Sequence, residues 1–270
     1  LGDVYKRQEV AELLKQWPAE KQVIAEAKTA DLASVLLLTS LQNRSIHITG
    51  VSNKEDLALI MTVKEKDPRV TCDVNIYSLF IAQDDYPEAV FLPTKEDQEF
   101  FWNNLEGIDA FSVGALPVAL ANITGNKVDV GMGIKDSLPL LLAAVEEGKL
   151  TIDDIVTRLH DNPAKIFNIP TQDSVVEIDL DYSFRRNKRW SPFNKDMNGG
   201  VERVVSNNET LVLSGELVSP GAKGKCSISS GPVSTTAPAD VQPTGTKRRF
   251  SFTDETMADN LDAAEDAIPE

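Results

Sequence analysis

The chain has 270 residues, with 27 Lys and Arg against 42 Asp and Glu, and a formal net charge of −15. That balance excludes the basic stripe of a nucleic-acid binder, and two cysteines, Cys72 and Cys226, make no disulfide framework and suit a reducing compartment. No apolar run approaches the ~20 residues of a membrane span and no signal peptide opens the chain, so the expected partners include neither membrane nor nucleic acid and the expected location is cytoplasmic.

The opening 1–8 stretch shows neither strand alternation nor a helical stripe and reads as a non-native scar outside the fold. From Glu9 to Phe167 short β-branched runs alternate with longer helical stretches. The expected strands are 23–25, 45–49, 70–74 and 110–113. Between them apolar residues fall at helical spacing: Ala33, Leu36, Leu37 and Leu41, then Leu57, Ile60 and Met61. Asn53 with Asp56, and Thr94 with Asp97, are candidate helix N-caps. The first three strands recur about every 22–25 residues and the fourth follows after about 40, a rhythm that means βαβ units and a parallel sheet. A (β/α)8 barrel needs eight such strands. Residues 9–172 therefore read as α/β, the C-terminal half of a TIM-type barrel, and such a half is expected to fold poorly alone.

After helical stretches at 138–145 and 152–159 the pattern changes. Residues 175–180 alternate strictly, and 201–205 and 211–218 read as strands around Ser206-Asn207-Asn208, because Asn tolerates the left-handed turn region. Residues 173–220 are thus expected to form a small antiparallel β element. From Pro220 Gly, Ser, Pro, Thr and Ala prevail, and 221–270 reads as a disordered tail that cannot bury enough apolar area to offset its ordering entropy. Within it Lys247-Arg-Arg-Phe-Ser-Phe-Thr253 sets Arg248 and Arg249 three and two residues before Ser251, the pattern an Arg-directed kinase reads in an accessible segment.

Active sites of parallel barrels sit at the C-terminal strand ends, here Glu26, Thr49-Gly50, Asn75 and Gly114-Ala115-Leu116-Pro117. Several segments at these ends and beyond carry a resemblance: Trp17-Pro18 leading into Val23-Ile-Ala-Glu-Ala27, Asn43-Arg-Ser-Ile-His-Ile-Thr-Gly-Val51, Val70-Thr-Cys-Asp-Val74, Ser137-Leu-Pro-Leu-Leu-Leu142 and Arg158-Leu-His-Asp-Asn-Pro-Ala-Lys-Ile-Phe167. Over about residues 9–220 the chain resembles the dihydroorotases of the amidohydrolase superfamily. More closely, it looks like the dihydroorotase-like segment of the multifunctional chains that also carry carbamoyl-phosphate synthetase and aspartate transcarbamoylase.

The resemblance implies zinc chemistry, in which the metal makes hydroxide near neutral pH and polarises the substrate carbonyl. The family's ligands in this half are a His in an Ala-His-Ala-like strand end, a His in a His-Ile-Cys-His-Val-like strand and an Asp, also the base, in a Ser-Asp-His-Ala-Pro-His-like turn. Those positions hold Glu26, Gly50 and Gly114 here, with Ala115 and Val118 where further histidines stand. His47 matches the strand-interior histidine and not the ligand. No catalytic residue, metal ligand or cofactor is therefore expected, and the reading is a pseudoenzyme. The resemblance then implies a spacer between the carbamoyl-phosphate synthetase and aspartate transcarbamoylase parts of one chain, homo-oligomeric through the parent protein, with 221–270 leading towards the latter and Ser251 as a kinase site. The competing reading is a zinc-dependent amidohydrolase whose ligands lie in the other barrel half. His47 and Cys72 are otherwise expected as packing residues, Glu26 as a tolerated polar group or a partner of Lys28, and His160 as a cation at a helix end. Gly131-Met-Gly133 lacks the Lys-Ser/Thr of a phosphate loop.

Overall fold

In the computed structural model residues 2–114, 134–170, 173–184 and 197–219 are described. The 221–270 segment with Arg248, Arg249 and Ser251, and Ala115, Val118 and Gly131–Gly133, lie outside them. Helix α1 spans Gly2–Gln16, so it includes residues 2–8, where the sequence shows no helical stripe. Its C-terminal half is anchored by Leu14, 5% exposed, and by Gln42 Nε2 donating to the Ala11 carbonyl at 3.0 Å. A helix nucleated there extends N-terminally at little cost, because propagation is cheap beside nucleation.

Four strands follow in alternation with helices: β1 (Val23–Ala25), α2 (Thr29–Leu41), β2 (Ile46–Val51), α3 (Lys54–Lys64), β3 (Val70–Asn75), α4 (Lys95–Asn103) and β4 (Ala110–Ser112). They form one sheet in the order β1-β2-β3-β4, all parallel, as the strand rhythm predicts. Both caps are present: Asn53 accepts from the Asp56 backbone N–H at 2.8 Å, and Thr94 and Asp97 make a reciprocal capping box. Aspartate thus serves at the third helical position, where glutamate is the commoner partner.

The register sorts side chains onto two faces, because alternate residues of a strand point opposite ways. Ile46 and Ile48 align with Val70 and Cys72, and Val74 with Phe111, and these join Leu57 and Ile60 of α3 in the core. His47 aligns with Thr71, Asp73 with Ala110 and Asn75 with Ser112, which puts His47, Thr71, Asp73, Asn75 and Ser112 on the other face. Ile24, aligned with His47, is 56% exposed there.

Helix α5 (Ile134–Glu146) then leads through the Thr151–Asp154 capping box into α6 (Ile152–Val156), a π turn over Thr157–Asp161 and α7 (Asn162–Ile166). The single helix expected at 152–159 is thus longer and wound wide in its middle. Buried Arg158 accounts for the interruption: its guanidinium donates to the carbonyls of Leu105 at 2.7 Å and Ile108 at 3.1 Å, and to Asp154 Oδ1 at 2.8 Å.

The second sheet is antiparallel, β5 (Ser174–Phe184), β6 (Met197–Ser206), β7 (Glu209–Leu213) and β8 (Glu216–Leu217), in that order. Asn207 and Asn208 both have positive φ, 50° and 63°, at the turn the Asn pair predicts. The single strand expected over 211–218 is instead two, split at Ser214-Gly215, where φ is 50° and 73°. A Ser-Gly pair can make that second left-handed turn through its glycine. The sheet seats on α5 at Gly199, where a Cβ would lie 2.7 Å from Leu142 Cδ1.

Candidate functional site

Because β1, β2 and β4 run parallel, the ends that carry Glu26, Gly50 and Gly114 lie along one edge of the sheet. Glu26 directly follows β1 and its side chain is exposed. Gly50 sits in β2 with φ +70°, where the β2–β3 register shifts, and Gly114 closes β4 with φ +53°. Both backbones are left-handed, a region in which a side chain costs about 1–2 kcal/mol. At Gly50 an added Cβ would meet open space, and at Gly114 it would meet Asn75 Nδ2 at 3.3 Å. The Asn75 amide is occupied, donating to the Val113 carbonyl and accepting from the Tyr77 N–H at 2.9 Å.

One residue behind this edge lies a closed polar network. His47 Nε2 is 3.0 Å from Asp73 Oδ2, and His47 Nδ1 is 2.9 Å from Thr71 Oγ1. Ser112 Oγ donates to Asp73 Oδ1 at 2.6 Å and the Gly50 N–H donates to the same oxygen at 3.1 Å. An ionised carboxylate only accepts, so the imidazole proton facing it sits on Nε2. Burial alone would push the Asp73 carboxyl up, but hydrogen bonds from His47, Ser112, Thr49 and the Gly50 N–H outweigh it and hold the group below the usual carboxylate range. The Phe167 ring, just beyond α7, meets His47 edge-on at 5.1 Å, so the last of the resembling segments packs on the first polar strand.

This donor set does not fit a catalytic zinc, which takes three protein ligands. Gly50 and Gly114 offer none, and both nitrogens of His47 are already engaged. Among the described residues no three His, Cys, Asp or Glu side chains converge into a metal-binding group. Cys72 lies on the opposite face, fully buried, its thiol donating to the Gly107 carbonyl at 3.3 Å and pushed up to about 12 by desolvation. It is packing, as expected. His160 is exposed in the π turn and pairs with Asp161 at 2.8 Å. Asp73, Thr71 and Ser112 received no role from sequence reasoning. The signal available was polar alternation, His47-x-Thr49 beside Thr71-x-Asp73-x-Asn75, legible once the two strands are placed in register.

No family model matches the chain. It is 90% identical to the multifunctional protein URA2 of Saccharomyces cerevisiae over 97% of this chain and 12% of that one. It is 48% identical to the multifunctional protein pyrABCN of Emericella nidulans over 83% of this chain and 10% of that one. The chain thus spans about a tenth of the length of these multifunctional relatives. Among solved structures it is similar to the inactive dihydroorotase-like domain of a Chaetomium thermophilum CAD-like multifunctional protein, with 47% identity and a TM-score of 0.76, over 78% of this chain and 64% of that one.

Proposed function

Since this chain is homologous to the dihydroorotase-like region of the multifunctional URA2 and CAD-like proteins, we propose that it is a catalytically silent structural segment of a multifunctional enzyme of de novo pyrimidine biosynthesis. It spaces and docks the carbamoyl-phosphate synthetase and aspartate transcarbamoylase parts of the parent chain, in the cytoplasm and within a homo-oligomer of that parent. Residues 9–172 are the second half of a (β/α)8 barrel whose first half pairs with the free edge of β1 and covers its polar face. The exposure of Ile24 on that face, at 56%, supports this reading.

The observation that carries silence is the backbone at the two glycines. Gly50 and Gly114 lack a ligand side chain and adopt left-handed φ values of 70° and 53°, conformations that disfavour any replacement ligand. The neighbouring imidazole is committed to Asp73 and Thr71. Among the described residues this strand edge offers neither the three protein ligands of a metal-bound hydroxide nor a general base for dihydroorotate hydrolysis. The test is zinc content by mass spectrometry on the chain extended N-terminally to a whole barrel. About a tenth of an equivalent or less per chain is expected, and one to two equivalents, about the content of a working hydrolase, would overturn the reading.

A further inference from the structure

Between α3 and α4 runs an open groove lined by Ala58, the half-buried Phe100 ring and Asn103, with Glu55, Glu96 and Glu99 on its rim. Lys54 is its one cation and is bridged to Glu96. Two carboxylates are therefore in excess beside an apolar floor. Elsewhere in the chain, the three adjacent cations Lys247, Arg248 and Arg249 are followed by Phe250 and Phe252, the only aromatics of the last fifty residues. We propose that the α3–α4 groove is the docking site of this basic-aromatic segment, Phe250 or Phe252 against Phe100 and Ala58, the arginines against Glu55 and Glu99.

Charge and shape chemistry agree in this pairing. Guanidinium groups take carboxylates in bidentate fashion, and an aromatic ring set on Phe100 adds apolar burial. The 27 residues between Ser219 and Lys247 extend to roughly 90 Å, about twice the diameter of a domain this size, so the segment reaches the groove without strain. Docking within one chain also gains from a high effective concentration. Exposed ion pairs contribute little singly and are screened by salt, so the contact is reversible and weakens as ionic strength rises. A phosphoryl group on Ser251, carrying about −1.5 to −2 charge, would face Glu55 and Glu99 and release the segment.

The test uses the full-length protein that contains this chain. Limited trypsin cleavage after Arg248 and Arg249 is followed by mass spectrometry in the native protein and in Glu55→Gln/Glu99→Gln, both exposed positions, with circular dichroism checking that the variant is folded. The native protein is expected to be cut about tenfold more slowly at low salt, the difference vanishing at high salt. Equal rates at low salt would overturn the proposal. A photo-crosslinking amino acid at position 250 is expected to label residues of α3 or α4 within the same chain, and to lose that labelling when Ser251 is phosphorylated. Labelling confined to another part of the chain, to a second copy or to a different protein would overturn it.

Discussion

On one face of the parallel sheet Ile46, Ile48, Cys72 and Val74 are wholly buried, with Val70 and Phe111 at 3% and 6%, against an apolar helix layer. On the other face His47, Asp73 and Asn75 are as deeply buried, at 2%, 5% and 7%, yet every one is a hydrogen-bonding group. Parallel strands covered on both sides usually read as continuous apolar runs. These alternate instead, and the difference separates packing from site. The apolar face is held by area and tolerates substitution of similar volume. The polar face is held by partners, and losing one strands the others.

The comparison breaks most sharply at Asp73. Asp73→Ala leaves the His47 imidazole, the Ser112 hydroxyl and the Gly50 N–H without their common acceptor. A loss of about 3–5 kcal/mol is expected, as when one partner of a buried pair is removed. Ile48→Ala on the apolar face is expected to cost about 2–5 kcal/mol by cavity formation. Denaturant titration of both variants, made in the chain extended N-terminally to a whole barrel, separates them through pH. The Asp73 carboxyl is held below its ordinary value, so its stabilisation is complete above that value, ~3.9, and is lost as pH falls through the lower folded value. The stability gap between the native chain and Asp73→Asn should therefore be flat at neutral pH and shrink in acid, whereas the gap to Ile48→Ala should not change. A gap that grows in acid would contradict the network.

A second, smaller effect is expected at Arg158, where the first sheet meets the C-terminal helices. Its guanidinium donates to the Leu105 and Ile108 carbonyls, and Asp154 is its charge partner. Arg158→Ala removes these bonds from a side chain that is 9% exposed, and about 2–3 kcal/mol of destabilisation follows. Arg158→Lys recovers only part, because an ammonium cannot fork to two carbonyls in one plane. Urea unfolding checks both, and full rescue by Lys would reduce the residue to a surface charge.

These contrasts also explain what the bare sequence made legible. Strand positions were readable because β-branched runs such as Ile46–Ile48 and Val70–Val74 are local signals, and Asn53 and Thr94 announced helix starts because caps act within one turn. The strand-end placement of Glu26, Gly50 and Gly114 was readable too, and the parallel order sets all three along one edge of the sheet. Asp73 as the hub was not, since its partners lie 23 to 39 residues away and meet only through strand register. The π turn was hidden for the same reason: Arg158 takes its carbonyls about fifty residues upstream. The Ser214-Gly215 turn was missed because a short apolar run looks continuous until its one glycine is given a positive φ.

The smallest effect sharpens the comparison at the strand end itself. Nothing lies within 4 Å of a Cβ at Gly50, so Gly50→Ala is opposed only by its φ of +70°. About 1–2 kcal/mol is expected, measured as a shift in denaturation midpoint at unchanged slope. Gly114→Ala carries the same strain and a contact with Asn75 Nδ2 at 3.3 Å, so it should cost somewhat more. Gly50→Asn should cost least, because asparagine enters the left-handed region readily. If Gly50→His proved as stable as the native chain, the backbone would not be set for glycine, and the strain argument for the proposed silence would fail at this position. If it follows alanine, the left-handed backbone at position 50 is set for glycine, and any side chain placed there carries the strain on which the proposed silence rests.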